Sequence, residues 1–137
     1  IYGDGILNVG GDVLVNEMEF DGYLRGKNIQ GENVLIEGKI KIRESLNSEL
    51  VSLRFHGKSF INNIEGNTVI IKRRIINRRL RVNSITADNV DLEYVICDTV
   101  YGNNVKIGAG CRINNVNYIT ELITEKGAKL KNTYKSS

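Results

Sequence analysis

Residues 89–107 read NVDLEYVICDTVYGNNVKI and carry one short pattern twice, Asn-Val-Asp-Leu at 89–92 and Asn-Val-Lys-Ile at 104–107. In both, two apolar residues flank one charged residue. Alternation of period two marks a strand, with Asp91 and Lys106 turned to water between inward neighbours. Working outward, the same apolar-x-apolar unit recurs at Met18-Glu19-Phe20, Val34-Leu35-Ile36, Val51-Ser52-Leu53 and Val69-Ile70-Ile71. Successive units begin 16, 17, 18, 21 and 15 residues apart. Strands recurring at about 17 residues predict a solenoid in which each repeat is one coil. Asn precedes the unit at Asn33, Asn89 and Asn104, and Gly follows at Gly22, Gly38 and Gly57. Both residue types tolerate the left-handed backbone of a sharp corner.

A second spacing suggests how each coil is divided. Val95, Tyr101, Ile107, Ile113 and Ile119 are apolar at steps of six. Three faces of about six residues would put all five inside a triangular prism. Coils stacked at about 4.8 Å then build a rod of roughly eight coils and 38 Å. The competing reading is an antiparallel sandwich, whose hairpins favour Asn-Gly or Asp-Gly. Asp4-Gly5 and Asp21-Gly22 are present, but the alternation on either side is short.

Composition agrees with strands. The 137 residues contain no Pro, no Trp and 14 Gly, and Ile and Val dominate the apolar set. Such β-branched residues suit pleated strands. The length fits one domain, read as a β-helix over residues 1–130 with a polar tail at 131–137. The net charge of +3 gives little reason to expect nucleic acid. Cys97 and Cys111 form neither a disulfide framework nor a metal set. Their spacing suggests a buried thiol ladder on adjacent coils. No apolar run is long enough to span a membrane and no leader pattern is visible. The expected location is the cytoplasm, at most peripheral at the inner face of the cell membrane. The chain opens on Ile1, so a missing segment could carry a targeting signal.

The segments VNEMEFDGYLRGKNI, VLIEGKIKI and LRFHGKSFINNIEG resemble the strand-Gly-strand repeat of the bactofilin family. The run ITADNVDLEYVICDTVYGNNVKIGAGCRINNVNYIT is similar to the C-terminal half of polymer-forming cytoskeletal proteins of Gram-positive bacteria. The likeness covers about Gly5 to Leu130. It implies a right-handed, triangular β-helix that polymerises end to end without nucleotide into filaments lacking polarity. It also implies a scaffold that positions cell-envelope or motility proteins. One departure is the segment from Lys72 to Val82, which lengthens a repeat and makes a smooth coil doubtful there.

Open tips lead to polymerisation without the resemblance. A solenoid that stays monomeric needs its terminal coils covered. No amphipathic capping helix is legible at either end. The expected contact residues are Ile6, Leu7, Val9, Val13 and Val15 at one tip. At the other they are Ile119, Leu122, Ile123 and Leu130. Head-to-head and tail-to-tail contacts would give a filament without polarity.

Remaining motifs are weaker. Lys72, Arg73, Arg74, Arg78, Arg79 and Arg81 form a basic cluster with no acid between Asn67 and Ala87. It is a candidate docking patch for anionic lipid or an acidic partner, against a solvated face balanced by acids of adjacent coils. No aromatic residues interleave with the arginines, so nucleic acid is not expected. His56 is the single histidine. It is the general-base candidate of an alternative reading, a left-handed hexapeptide acyltransferase or solenoid binding module. No second catalytic partner is visible. Asp88, Asp91 and Glu93 alternate with Val90 and Leu92 and read as an outer strand face. The GAG at 108–110 is too short for a phosphate loop. No catalytic residue, metal or cofactor is expected, and the main expected partner is the chain itself.

Overall fold

A computed structural model describes residues 1–73 and 79–136. The strands are β1 (Tyr2–Asn8), β2 (Asp12–Leu14), β3 (Glu17–Phe55), β4 (Ser59–Arg73), β5 (Leu80–Leu92), β6 (Val95–Ile107), β7 (Arg112–Thr124) and β8 (Lys129–Lys135). Among the described residues there is no helix. Every strand pairing is parallel, and the order β1-β3-β4-β5-β6-β7-β8 follows the sequence, with β2 also beside β3. Hairpins would pair antiparallel, so the sandwich is excluded. The chain is a β-solenoid of about eight turns. β3 is 39 residues long because hydrogen bonding continues around the corners for more than two coils.

The repeat units found in the sequence stack on one another. Val51 pairs with Val69, Val69 with Val90, Val90 with Val105 and Val105 with Leu122. With Met18 and Val34 the four valines form a buried column, which half-buried Leu122 ends. Two residues on, Phe20, Ile36, Leu53, Ile71, Leu92 and Ile107 form a second. These two columns line the first of three faces. The second face is lined by Leu24, Ile40, Leu80, Val95 and Cys111, beside Ile42, Ile61, Val82, Cys97 and Ile113. The third is lined by Ile29, Leu46, Ile64, Ile85, Val100 and Val116. Branched side chains interlock along each column and exclude water.

The six-residue ladder does not hold. Val95, Ile107 and Ile113 are buried, but Tyr101 is 49% and Ile119 52% exposed. The buried residues Val95, Cys97, Val100, Val105 and Ile107 follow uneven steps. Corners consume unequal numbers of residues, two between Cys97 and Val100, four between Val100 and Val105 and three between Ile107 and Cys111, so a fixed hexad drifts out of phase with the pleat.

Three columns mark the corners. Gly5, Gly22 and Gly38 stack after the first face, with φ of +99°, +137° and +141°. A Cβ on Gly38 would lie 1.9 Å from the Gly22 carbonyl oxygen, so only glycine fits. The corner after the second face is polar. Asn28 donates to Asp12 at 2.8 Å, Ser45 donates to Asn28 at 2.8 Å, and Asn132 donates to Asn115 at 3.2 Å. The corner after the third face stacks Asn89 under Asn104, whose amide donates to it at 3.3 Å.

The lengthened repeat leaves the coil intact. Ser59 pairs with Leu80 and Val69 with Val90, so the 21-residue step holds on both sides. The additional residues fall, in sequence, between Ile71 and Leu80, and 74–78 lie outside the described residues. Residues 131–137 are not simply a tail, because Lys131 to Lys135 belong to β8, the last rung. Cys97 pairs with Ile113 and not with Cys111, so the thiols occupy neighbouring columns and no thiol ladder exists.

Candidate functional surfaces

The two tips follow directly from the stacking. β1 and β2 lie against β3 on one side only, and β8 lies against β7 on one side only. Their outer backbone edges meet no strand among the described residues. At the first tip Leu7, Val13 and Val15 pack half-buried against the core, and Val9 is half-buried too. Ile6 points away from the prism and is 83% exposed. At the last tip Leu122 and Leu130 are half-buried, while Ile119 and Ile123 face outward, 52% and 45% exposed. Of the nine expected contact residues, Leu7, Val9, Val13, Val15, Leu122 and Leu130 sit at the exposed ends of the inner columns. Ile6, Ile119 and Ile123 belong to the sides of the rod.

Charge separates the tips. Residues 1–24 hold five acids and no Lys or Arg, whereas residues 126–136 hold four lysines and no acid. At the first tip the Tyr2 hydroxyl donates to Glu17, and this bond raises the phenol pKa.

The expected basic cluster is divided. Lys72 belongs to the first face, where its ammonium holds both Asp91 and Glu93 at 3.1 Å. Burial lowers its pKa, but the hydrogen bonds and charges of these carboxylates outweigh burial and raise it overall. The Arg73 guanidinium stacks 3.3 Å from the centre of the Tyr94 ring. Tyr94 turns the corner with φ of +55°. Arg79 and Arg81 are exposed on the second face, and Arg74 and Arg78 lie outside the described residues.

The second face itself is the larger basic surface. Its outward positions include Arg25 and Lys27 in one coil and Lys39, Lys41 and Arg43 in the next. Higher coils add Lys58, then Arg79 and Arg81, then Arg112, and finally Lys129 and Lys131. These eleven are more than half of the chain's 19 Lys and Arg. They alternate with buried residues such as Leu24, Ile40, Ile42, Leu80 and Ile113, which fixes them outward. Lys41, Phe60, Arg81, Ile96, Arg112 and Lys129 stack in one register column. Phe60 stands 37% exposed in it. It borders an open groove of about 600 Å³ lined also by Arg81, Ile96, Arg112 and Asn114. Lys27 reaches Glu44 at 3.8 Å, and Lys39 lies 5.0 Å from the Tyr23 ring centre. Asp98 is the acid on this face, its carboxyl pKa lowered by hydrogen bonds from Asn114 and Thr99. By contrast, the strands of the third face carry Glu32, Glu49, Glu65 and Asp88 outward. They carry no Lys or Arg until β8.

The sequence contained this signal. Lys or Arg recurs at alternate positions in RGK (25–27), KIKIR (39–43), RLR (79–81) and KLK (129–131). The runs fall at one phase of the coil. A search for contiguous basic clusters passes over them because the intervening residues are apolar.

Other candidates are poorly placed for chemistry. Among the described residues no group of three or more His, Cys, Asp and Glu could hold a metal ion. His56 sits at the glycine corner, where its amide donates to the Gly38 carbonyl at 2.9 Å. Asp88, Asp91 and Glu93 are outward, as expected. Burial pushes the Cys97 thiol up to about 12 and the Cys111 thiol upward, the reverse of an activated nucleophile. An open groove of about 790 Å³ runs along the first face near the first tip, beside Tyr2, Glu19, Asp21, Glu37 and Arg54. No helix is long and apolar enough to cross a membrane among the described residues. Compared with family models, curated proteins and solved structures, the chain matches none.

Proposed function

We propose that this chain is a self-assembling scaffold in which rods join tip to tip without nucleotide, and that the resulting filament positions other proteins. One observation carries it. Among the described residues β1, β2 and β8 each pair with a neighbouring rung on one side only, and the apolar columns continue into these rungs. Unpaired N–H and C=O groups of an edge template the addition of another strand. Half-exposed Leu7, Val13, Val15, Leu122 and Leu130 add apolar surface that a second rod would cover. The resemblance to bactofilins supports the same reading and suggests cell-envelope or motility proteins as the cargo.

The tip charges favour joining opposite ends over the head-to-head and tail-to-tail contacts expected above. Like tips would place acids against acids and lysines against lysines. Opposite tips continue the parallel sheet and set Asp12 over Asn132, because both lie in the polar corner column. Asp12 already accepts from Asn28 one rung above it, and Asn132 could serve it from below. Asp4 would fall over Glu125 in this register, with Lys126 adjacent to offset the repulsion.

Concentration-dependent sedimentation in the absence of ATP and GTP tests the function. Growth of large, elongated species with rising protein concentration is expected. A species that stays monomeric at every concentration removes the proposal.

A further inference from the structure

We propose that the outer surface of the second face is a docking surface for an anionic lipid bilayer, on which the rod lies on its side. The inference does not rest on tip-to-tip assembly, since the face is complete within one chain.

Shape and charge point to this partner together. Cations occupy columns about 6.6 Å apart across the face and recur on rungs about 4.8 Å apart along it. They span the solenoid from Arg25 to Lys131. A flat, extended lattice of positive charge matches a planar sheet of headgroups, which can touch every column at once. A duplex would touch only a strip. The acids of the third face are too few to neutralise this one in a neighbouring rod, with Glu32, Glu49, Glu65 and Asp88 against eleven cations. Phe60 and Ile96 stand among the basic side chains, where an aromatic ring and an aliphatic chain can enter the interfacial layer. Of these cations Lys27 lies 3.8 Å from Glu44, and both side chains are well exposed, so parting this pair on docking costs little. The neighbouring first and third faces carry most of the acids, and an anionic surface repels them. The charge pattern therefore selects one face.

Flotation of the purified chain with vesicles tests the proposal. Vesicles of phosphatidylcholine with phosphatidylglycerol should carry the protein. Phosphatidylcholine alone should not, and about 1 M salt should release it, because screening then acts within about 3 Å. Reversing Arg25→Glu, Lys41→Glu and Arg112→Glu together should weaken binding at least about 30-fold. Those positions are exposed or half-exposed, so unchanged far-UV circular dichroism is expected. Glu49→Lys with Glu65→Lys on the third face should leave binding undiminished. A Phe60→Trp variant should shift its emission to the blue on anionic vesicles only. The tip variant Val13→Asp should still bind lipid, which separates failure of docking from failure of assembly. Equal binding to neutral vesicles, full binding by the triple reversal, or more than tenfold preference for single-stranded DNA or an acidic peptide over anionic vesicles would overturn it.

Discussion

The middle and the tips of this rod are built from the same columns but differ in what lies above and below. In the third-face column, Leu46, Ile64, Ile85 and Val100 are 0% exposed, while Val13 at the first tip is half-buried. In the second-face column, Leu24 and Ile40 are 0% exposed, while Leu7 below them is half-buried. The side chains are chemically alike. A rung in the middle has neighbours on two sides, and a tip rung has one. In a stacked protein, stability is close to a sum of nearest-neighbour contacts. Tip rungs therefore contribute less to folding and retain the capacity to contribute to assembly.

That contrast can be broken by substitution. Ile64→Ala empties a site closed from both sides and should cost about 2–5 kcal/mol in denaturant unfolding. Val13→Ala should cost under about 1 kcal/mol, because the side chain is only partly buried and has a neighbouring rung on one side. Equal losses at the two sites would remove the distinction. Gly38→Ala should be worse than an ordinary surface change, by more than about 1 kcal/mol, since φ is +141° and the Gly22 carbonyl occupies the Cβ position.

Titration sharpens the same contrast. The Cys97 thiol is raised from 9.0 to about 12 by burial, with Cys111 raised in the same direction. A raised folded pKa contributes stability that is complete below the unfolded value and is lost as pH rises. Stability should hold up to about pH 9 and then fall toward pH 12, and Cys97→Ala with Cys111→Ala should flatten that fall. Lys72, also raised, acts in the same direction over its own higher range. A similarly small effect is expected at the polar corner. Asn28→Ala removes hydrogen bonds to Asp12 and Glu44 at the exposed surface and should cost about 1 kcal/mol.

Much of the fold was legible because one coil position carries a strict requirement. The first-face unit must be apolar-x-apolar, and Val51, Val69, Val90 and Val105 stack as the spacing implied. The glycine corner was legible at Gly22 and Gly38 for the same reason, as no other residue fits between stacked carbonyls. The hexad misled because Tyr101 and Ile119 are apolar yet outward, and a uniform step cannot follow corners of unequal length. Ile6, Ile119 and Ile123 were expected at the tips from hydrophobicity alone, but the pleat turns them sideways. The basic face stayed hidden because its cations are gathered by the winding of the chain and are separated in sequence by about one coil. Lys72 looked available within an Arg-rich run, yet its partners Asp91 and Glu93 lie one coil later, 19 and 21 residues along the chain.

Assembly at the tips is tested most directly by sedimentation velocity on three samples at high concentration without nucleotide. These are the unmodified chain, Val13→Asp and Leu130→Asp. Each substitution places a charge at the half-exposed end of an inner column while leaving the buried rungs untouched. The unmodified chain should form long species. Either variant alone should stay monomeric, because opposite tips meet and one damaged tip blocks every junction, and an equimolar mixture of the two should stop at dimers. Long filaments from both variants would mean that the open edges are not where the rods join.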